Sequence, residues 1–87
     1  MFRMWGKLYK NNHMLADTVI EEPSDDTRTH KIFHALEAIC IEFDLMQPIW
    51  LEQNIREFQR ISKTRFRQDS FVETILFDYL EIQIIEE

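Results

Sequence analysis

One glycine, two prolines and one cysteine occur in 87 residues, and each scarcity closes off a class of structure. With so little glycine and proline, the chain has little material for long irregular loops and none for a glycine-rich phosphate cradle. The lone Cys40 rules out an internal disulfide and a zinc ribbon. No apolar run approaches the ~20 residues that span a bilayer, and the first residues hold no signal-peptide core, so a soluble cytoplasmic protein is expected. Basic residues are also few: ten Lys and Arg against sixteen Asp and Glu leave a net charge of −6. That balance disfavours general DNA or RNA binding, which draws on counterion release at a basic face.

Apolar residues, by contrast, are abundant. At 45% hydrophobic and 13% aromatic the chain is not a disordered one, and its length suits a single domain, residues 1–87. Phe2, Met4, Gly6 and Leu8 alternate with Arg3, Trp5, Lys7 and Tyr9, the period of two that marks a strand. Asn11 and Asn12 tolerate left-handed backbone angles and predict a turn. Met14 to Glu21, β-branched in its second half, predicts the returning strand.

The longest element is expected from Thr27 to Leu45. Ile32, Leu36, Ile39 and Phe43 recur at helical steps on one face, which Phe33 and Cys40 widen. Ser24, Asp25 and Asp26 are placed to cap its start, and Pro48 to stop it. Pro48 also opens a second, shorter helix, with Leu51, Ile55, Phe58 and Ser62 on one face and Trp50 as a packing anchor between the helices. Residues 63–76 read as loop with one helical turn. From Phe77 to Glu86, Leu80, Ile82 and Ile84 alternate with Tyr79, Glu81 and Gln83, which predicts a closing strand. The expected fold is α+β: a small three-stranded antiparallel sheet, made of the N-terminal hairpin and the C-terminal strand, with one long and one short helix on one face.

Four groups of side chains are candidates for function. If the helices cover the face bearing Phe2, Met4 and Leu8, then Trp5, Tyr9 and Tyr79 stand on the outer face, where aromatic rings suit a protein interface. Arg56, Arg60, Lys63, Arg65 and Arg67 surround Phe66, a pattern able to hold phosphate or to stack on a base. The acids of 17–26 and 68–87 are the competing internal partners of that cluster. His30 and His34 stand one helical turn apart with Glu37 on the same side. That is the spacing of a His-His-carboxylate site for zinc or non-haem iron, although no H-E-x-x-H signature is present. Glu21-Glu22, Asp25-Asp26 and Glu86-Glu87 are acidic stretches of the kind with which small inhibitors imitate a phosphate backbone. No nucleophile constellation is visible: Ser24, Ser62 and Ser70 lie in no nucleophile elbow, and Cys40 sits on the apolar stripe.

In D-T-R-T-H-K-I-F-H-A-L (26–36), S-K-T-R-F (62–66) and F-D-Y-L-E (77–81) the chain resembles a group of short uncharacterised bacterial proteins. The resemblance covers most of the chain and implies a free-standing cytoplasmic bacterial protein. It implies no site and no activity. The expected function is therefore a non-catalytic protein–protein interaction module, self-associating and most simply a homodimer, with no cofactor and no membrane partner. Phosphate or nucleic-acid binding at 56–67, mimicry of nucleic acid by the acids, and a metal site at His30, His34 and Glu37 are the alternatives.

Overall fold

A computed structural model describes residues 1–87 and contains two helices and one four-stranded antiparallel sheet. Strands β1 (Phe2–Lys10) and β2 (His13–Glu22) form the hairpin. Helices α1 (Arg28–Glu42) and α2 (Glu52–Ile61) follow, then strand β3 (Lys63–Phe66), a 3-10 turn over Gln68–Ser70, and strand β4 (Tyr79–Glu86). The order across the sheet is β2-β1-β4-β3, so the first and last strands of the chain are central neighbours. No helix is long and apolar enough to cross a membrane.

The hairpin forms where the two asparagines sit. Asn11 and Asn12 have φ of 53° and 66°, the pair of left-handed residues that matches the twist of two-residue hairpins. Past that turn Leu15 bulges out, because Tyr9 pairs with Met14 while Leu8 pairs with Ala16. A second irregularity leaves Ile85 unpaired on β4 and sets Glu86 opposite Arg3.

Helix α1 is bounded differently from expectation. Its cap is Thr27, whose Oγ1 accepts from the His30 N–H at 3.2 Å, while Asp26 accepts one step earlier, from the Thr27 N–H. It stops at Glu42, well before Pro48. Asp44 turns left-handed at φ 56°, and the N–H groups of Asp44 and Leu45 close on the carbonyls of Ile41 and Cys40. Ile32, Leu36, Ile39 and Cys40 are buried as the periodicity predicted, Ala35 joins them, Phe43 is half-buried, and Phe33 leans outward onto Trp50. The helix comes close at Gly6, where an added Cβ would stand 2.6 Å from Ile39 Cγ2. Here alone the sheet presents bare backbone to the helix.

Helix α2 starts at Glu52 rather than in the turn after Pro48, which lies buried in the extended approach. It buries Asn54 and Phe58; Ile55, expected on the inner face, is 44% exposed. Asn54 is a joint. Its Oδ1 accepts from the Leu51 N–H, and its Nδ2 donates to Thr64 Oγ1 and to the Arg65 carbonyl on the outer edge of β3. Trp50 anchors the helices as expected, edge-on to Phe58 at 5.4 Å and to Phe66 at 5.0 Å.

The sheet has four strands, not three. Lys63–Phe66, expected as loop, pairs with β4, and Thr64 and Phe66 turn inward while Lys63 and Arg65 turn outward. Four residues hold too few alternations to announce a strand; Leu80 and Ile82 alongside supply its partner edge.

Gly6→Ala is expected to cost about 1–3 kcal/mol through overpacking. The double variant Gly6→Ala/Ile39→Val should recover part of the loss, because it withdraws one of the crowding methyl groups. Urea denaturation of both variants beside the parent measures this, and an undiminished midpoint for Gly6→Ala would show that α1 can slide away.

Candidate functional site: the open sheet face

Both helices and the segment from Phe71 to Phe77 pack on the side of Met4, Leu80 and Ile82. The other side of the sheet is therefore uncovered. Alternation along the strands brings Trp5, Lys7 and Tyr9 of β1 to it, with Tyr79, Glu81 and Gln83 of β4, Asp17, Val19 and Glu21 of β2, and Lys63 and Arg65 of β3. The three aromatic residues expected on an outer face are indeed there.

The middle of this face is ionic yet closed to water. Lys7 is 6% exposed and Glu81 4%, and Lys7 Nζ lies 2.6 Å from Glu81 Oε2. The second carboxylate oxygen accepts from Arg65 Nε at 2.9 Å. Aromatic rings roof the cations: Lys7 Nζ is 3.8 Å from the Trp5 ring centre, and Arg65 and Arg67 lie over Tyr79. Tyr9 and Tyr79 stack at 5.1 Å. Trp5 Nε1 donates to Asp17 at 2.9 Å, which ties the indole to the neighbouring strand β2. Burial alone pushes the Glu81 carboxyl up, but the hydrogen bonds from Lys7 and Arg65 outweigh it and hold the group below the usual glutamate range.

The basic cluster does not form one patch. Lys63, Arg65 and Arg67 meet Gln53, Asn54 and Glu57 around a polar cleft of about 430 Å³ between β3 and α2. Arg56 and Arg60 lie elsewhere along α2, where Arg56 pairs with Glu52 one turn back. Among the acids of 68–87, Glu81 is the one that pairs with this cluster.

The histidines take carboxylate partners other than Glu37. His30 Nδ1 is 2.8 Å from Asp26, whose carboxyl this contact lowers, and His34 Nδ1 is 3.7 Å from Glu22. No group of three His, Cys, Asp or Glu side chains is placed to hold a metal ion. The acidic stretches gather at one end of the sheet, where Arg28 pairs with Glu87 and the Met1 ammonium with Glu86. Burial pushes the Cys40 thiol up to about 11, which leaves it protonated near neutral pH. An apolar groove between α1 and α2 is lined by Phe33, Trp50 and Ile55.

Sequence reasoning placed the three rings but missed Lys7, Glu81 and Asp17. Their signal was weak: a lone Lys and a lone Glu, each at an outward position of its strand. Comparison with protein-family models, with curated proteins and with solved structures finds no match to this chain.

Two stability predictions follow from the Lys7–Glu81 contact. Lys7→Met leaves the buried Glu81 with Arg65 as its one cation and should cost about 1–3 kcal/mol, whereas Lys7→Met/Glu81→Met should cost less. Glu81 titrates lower when folded than its ordinary value of 4.5. Its stabilising share is thus complete above that value and is lost as pH falls through the lower folded value. Denaturation midpoints between neutral pH and pH ~3 should therefore drop less steeply for Glu81→Gln than for the parent. Equal slopes would mean that the pair does not carry the acid sensitivity.

Proposed function

We propose that this chain is a non-catalytic protein–protein interaction module that self-associates through its open sheet face. One observation carries the reading: a sheet face left uncovered carries Trp5, Tyr9 and Tyr79, and the two buried ions beneath these rings, Lys7 and Glu81, are paired with each other. Binding surfaces are built this way, with an aromatic centre depleted of free charge and a polar rim. Here the central Lys7 and Glu81 already neutralise one another, so a partner covering them strips water from no lone ion.

Association by the sheet edges has less support. β2 is interrupted by the bulge at Leu15, and β3 is four residues long with its Arg65 carbonyl occupied by Asn54. Both features blunt an edge against strand addition.

The size of the face sets the strength. Four strands ~4.8 Å apart and about eight residues of ~3.3 Å each give roughly 500 Å². A standard interface covers ~800 Å² per partner, so the assembly is a weak one.

A second reading, binding of phosphate groups, is favoured by one observation, the convergence of Lys63, Arg65 and Arg67 on a single polar cleft. It predicts that a single-stranded oligonucleotide binds at low salt and that Arg67→Ala weakens the complex. An oligonucleotide that causes no anisotropy change at low salt removes this reading.

For the principal reading, light scattering should show the mean mass rising toward twice the chain mass between ~10 µM and ~1 mM. Trp5→Ala should stay monomeric over that range with an unchanged far-ultraviolet circular dichroism spectrum. A parent that is monomeric throughout, or a Trp5→Ala variant that assembles equally well, would sink it.

A further inference from the structure

The charges on the open face follow an order that the aromatic rings alone do not suggest. One row crosses the sheet as Asp17, Lys7, Glu81, Arg65, one residue from each strand in the order β2-β1-β4-β3. Its signs read minus, plus, minus, plus. Reversing the row from end to end exchanges every sign. The next row, Val19, Trp5, Gln83, Lys63, keeps the basic residue on the β3 side, and Glu21 adds a second acid on the β2 side.

Resting on the self-association proposed above, we infer that two copies meet face to face about a two-fold axis that runs parallel to the strands between β1 and β4. Such an axis keeps each residue's position along the strands and reverses the strand order. It lays β2 of one copy over β3 of the other, and β1 over β4. Asp17 then faces Arg65, Glu21 lies near Lys63, and the Tyr9 and Tyr79 rings meet their counterparts along the axis, at the hairpin-turn end of the face. The alternative in-plane axis, at right angles to the strands, lays β2 over β2 and β3 over β3. It sets acid against acid and base against base. Like charges across an interface are costly, and complementary ones select the orientation. Aligned sheets pack about 30° apart, a rotation that leaves neighbouring rows within reach of the same partners.

Three of the edge charges, Lys63, Arg67 and Glu21, are free for this role, whereas Arg65 already holds Glu81 through Nε and Asp17 accepts from Trp5. Lys7 and Glu81 are committed to each other beneath the rings. Lys63 has no carboxylate within salt-bridge distance, nor has Arg67, and Glu21 has no cation within it. Each copy thus carries a neutral centre, an acidic side strand and a basic side strand, which is the pattern a self-complementary two-fold contact requires.

Two charge-reversed variants and their mixture test the axis. Glu21→Lys places a base on the β2 side, and Lys63→Glu/Arg67→Glu places acids on the β3 side, while Asp17 and Arg65 are kept in both. Each alone should assemble about tenfold or more weakly than the parent, and mixing the two should restore a dimer containing one of each, resolved by native mass spectrometry. A thiol crosslink gives a readout that does not depend on those substitutions. Copies carrying Val19→Cys/Lys63→Cys should be joined by a short bismaleimide, and copies carrying either cysteine alone should not; the buried Cys40 stays out of the reaction.

If neither charge variant weakens the dimer, or a single-cysteine chain crosslinks as well as the double, the axis is wrong. The face itself then still stands as long as Trp5→Ala dissociates. A parent that never dimerises defeats the self-association reading and the axis with it.

Discussion

The pairing of β1 with β4 is the constraint on which the rest of this molecule depends. It joins the two ends of the chain, so every other element has to be accommodated between strands that are already neighbours. Closing so long a loop costs entropy before any contact repays it. The return comes from the inner rows of the two strands. Met4, Leu80 and Ile82 are fully buried there, beside Leu36 and Ile39 of α1 and Phe66 of β3. Each large apolar side chain taken out of water contributes about 1.5–3 kcal/mol. Gly6, in the middle of the same strand, removes the one side chain that would hold α1 away from the sheet.

The outer rows of the same strands do a different job. Lys7 and Glu81 lie opposite each other, and a slip of one residue would set Lys7 against Leu80 or Ile82 and turn an ion into the core. A buried ion pair adds little net stability, since desolvation offsets most of its attraction. As a marker of register it is effective, because the misaligned alternatives bury an uncompensated charge. The irregularity at Ile85 lies beyond this pair on β4 and the bulge at Leu15 lies beyond it on β2, so the central rows stay in step while the ends of the sheet twist. Register and binding face are thus set by the same residues.

Elements whose signal is local were legible in the sequence. The Asn11-Asn12 turn, the alternation in β1 and β4 and the apolar stripe of α1 each follow from neighbours in the chain. So does the placing of Trp5, Tyr9 and Tyr79, which needs nothing beyond strand parity and the side chosen by the helices. What was not legible depends on partners remote in sequence. β3 is a strand because β4 is beside it. Asn54 is buried because Thr64 and the Arg65 carbonyl are there to receive its amide, and no helical periodicity can foretell a buried asparagine. The early end of α1 is decided by a left-handed Asp44, a residue that tolerates that geometry without demanding it. Lys7 and Glu81 looked like ordinary outward residues until the register made them face each other.

Net charge bears on how two copies could approach. At −6 each, they repel at long range, yet the charge is unevenly spread. The open face carries Arg3, Lys7, Lys63, Arg65 and Arg67, five of the ten basic residues, against Asp17, Glu21, Glu81 and Glu86, four of the sixteen acids. The face is close to neutral, and the acid excess lies on the helical side and at the turns. Two sheets in contact are ~10 Å apart, and the helical layers lie outside them, separated by more than a Debye length of ~8 Å at physiological salt. Contact through the helices would bring the two acid-rich surfaces within that length. Of the ways this molecule can meet its own copy, the open sheet face is the one that keeps its negative charge apart while burying its aromatic rings.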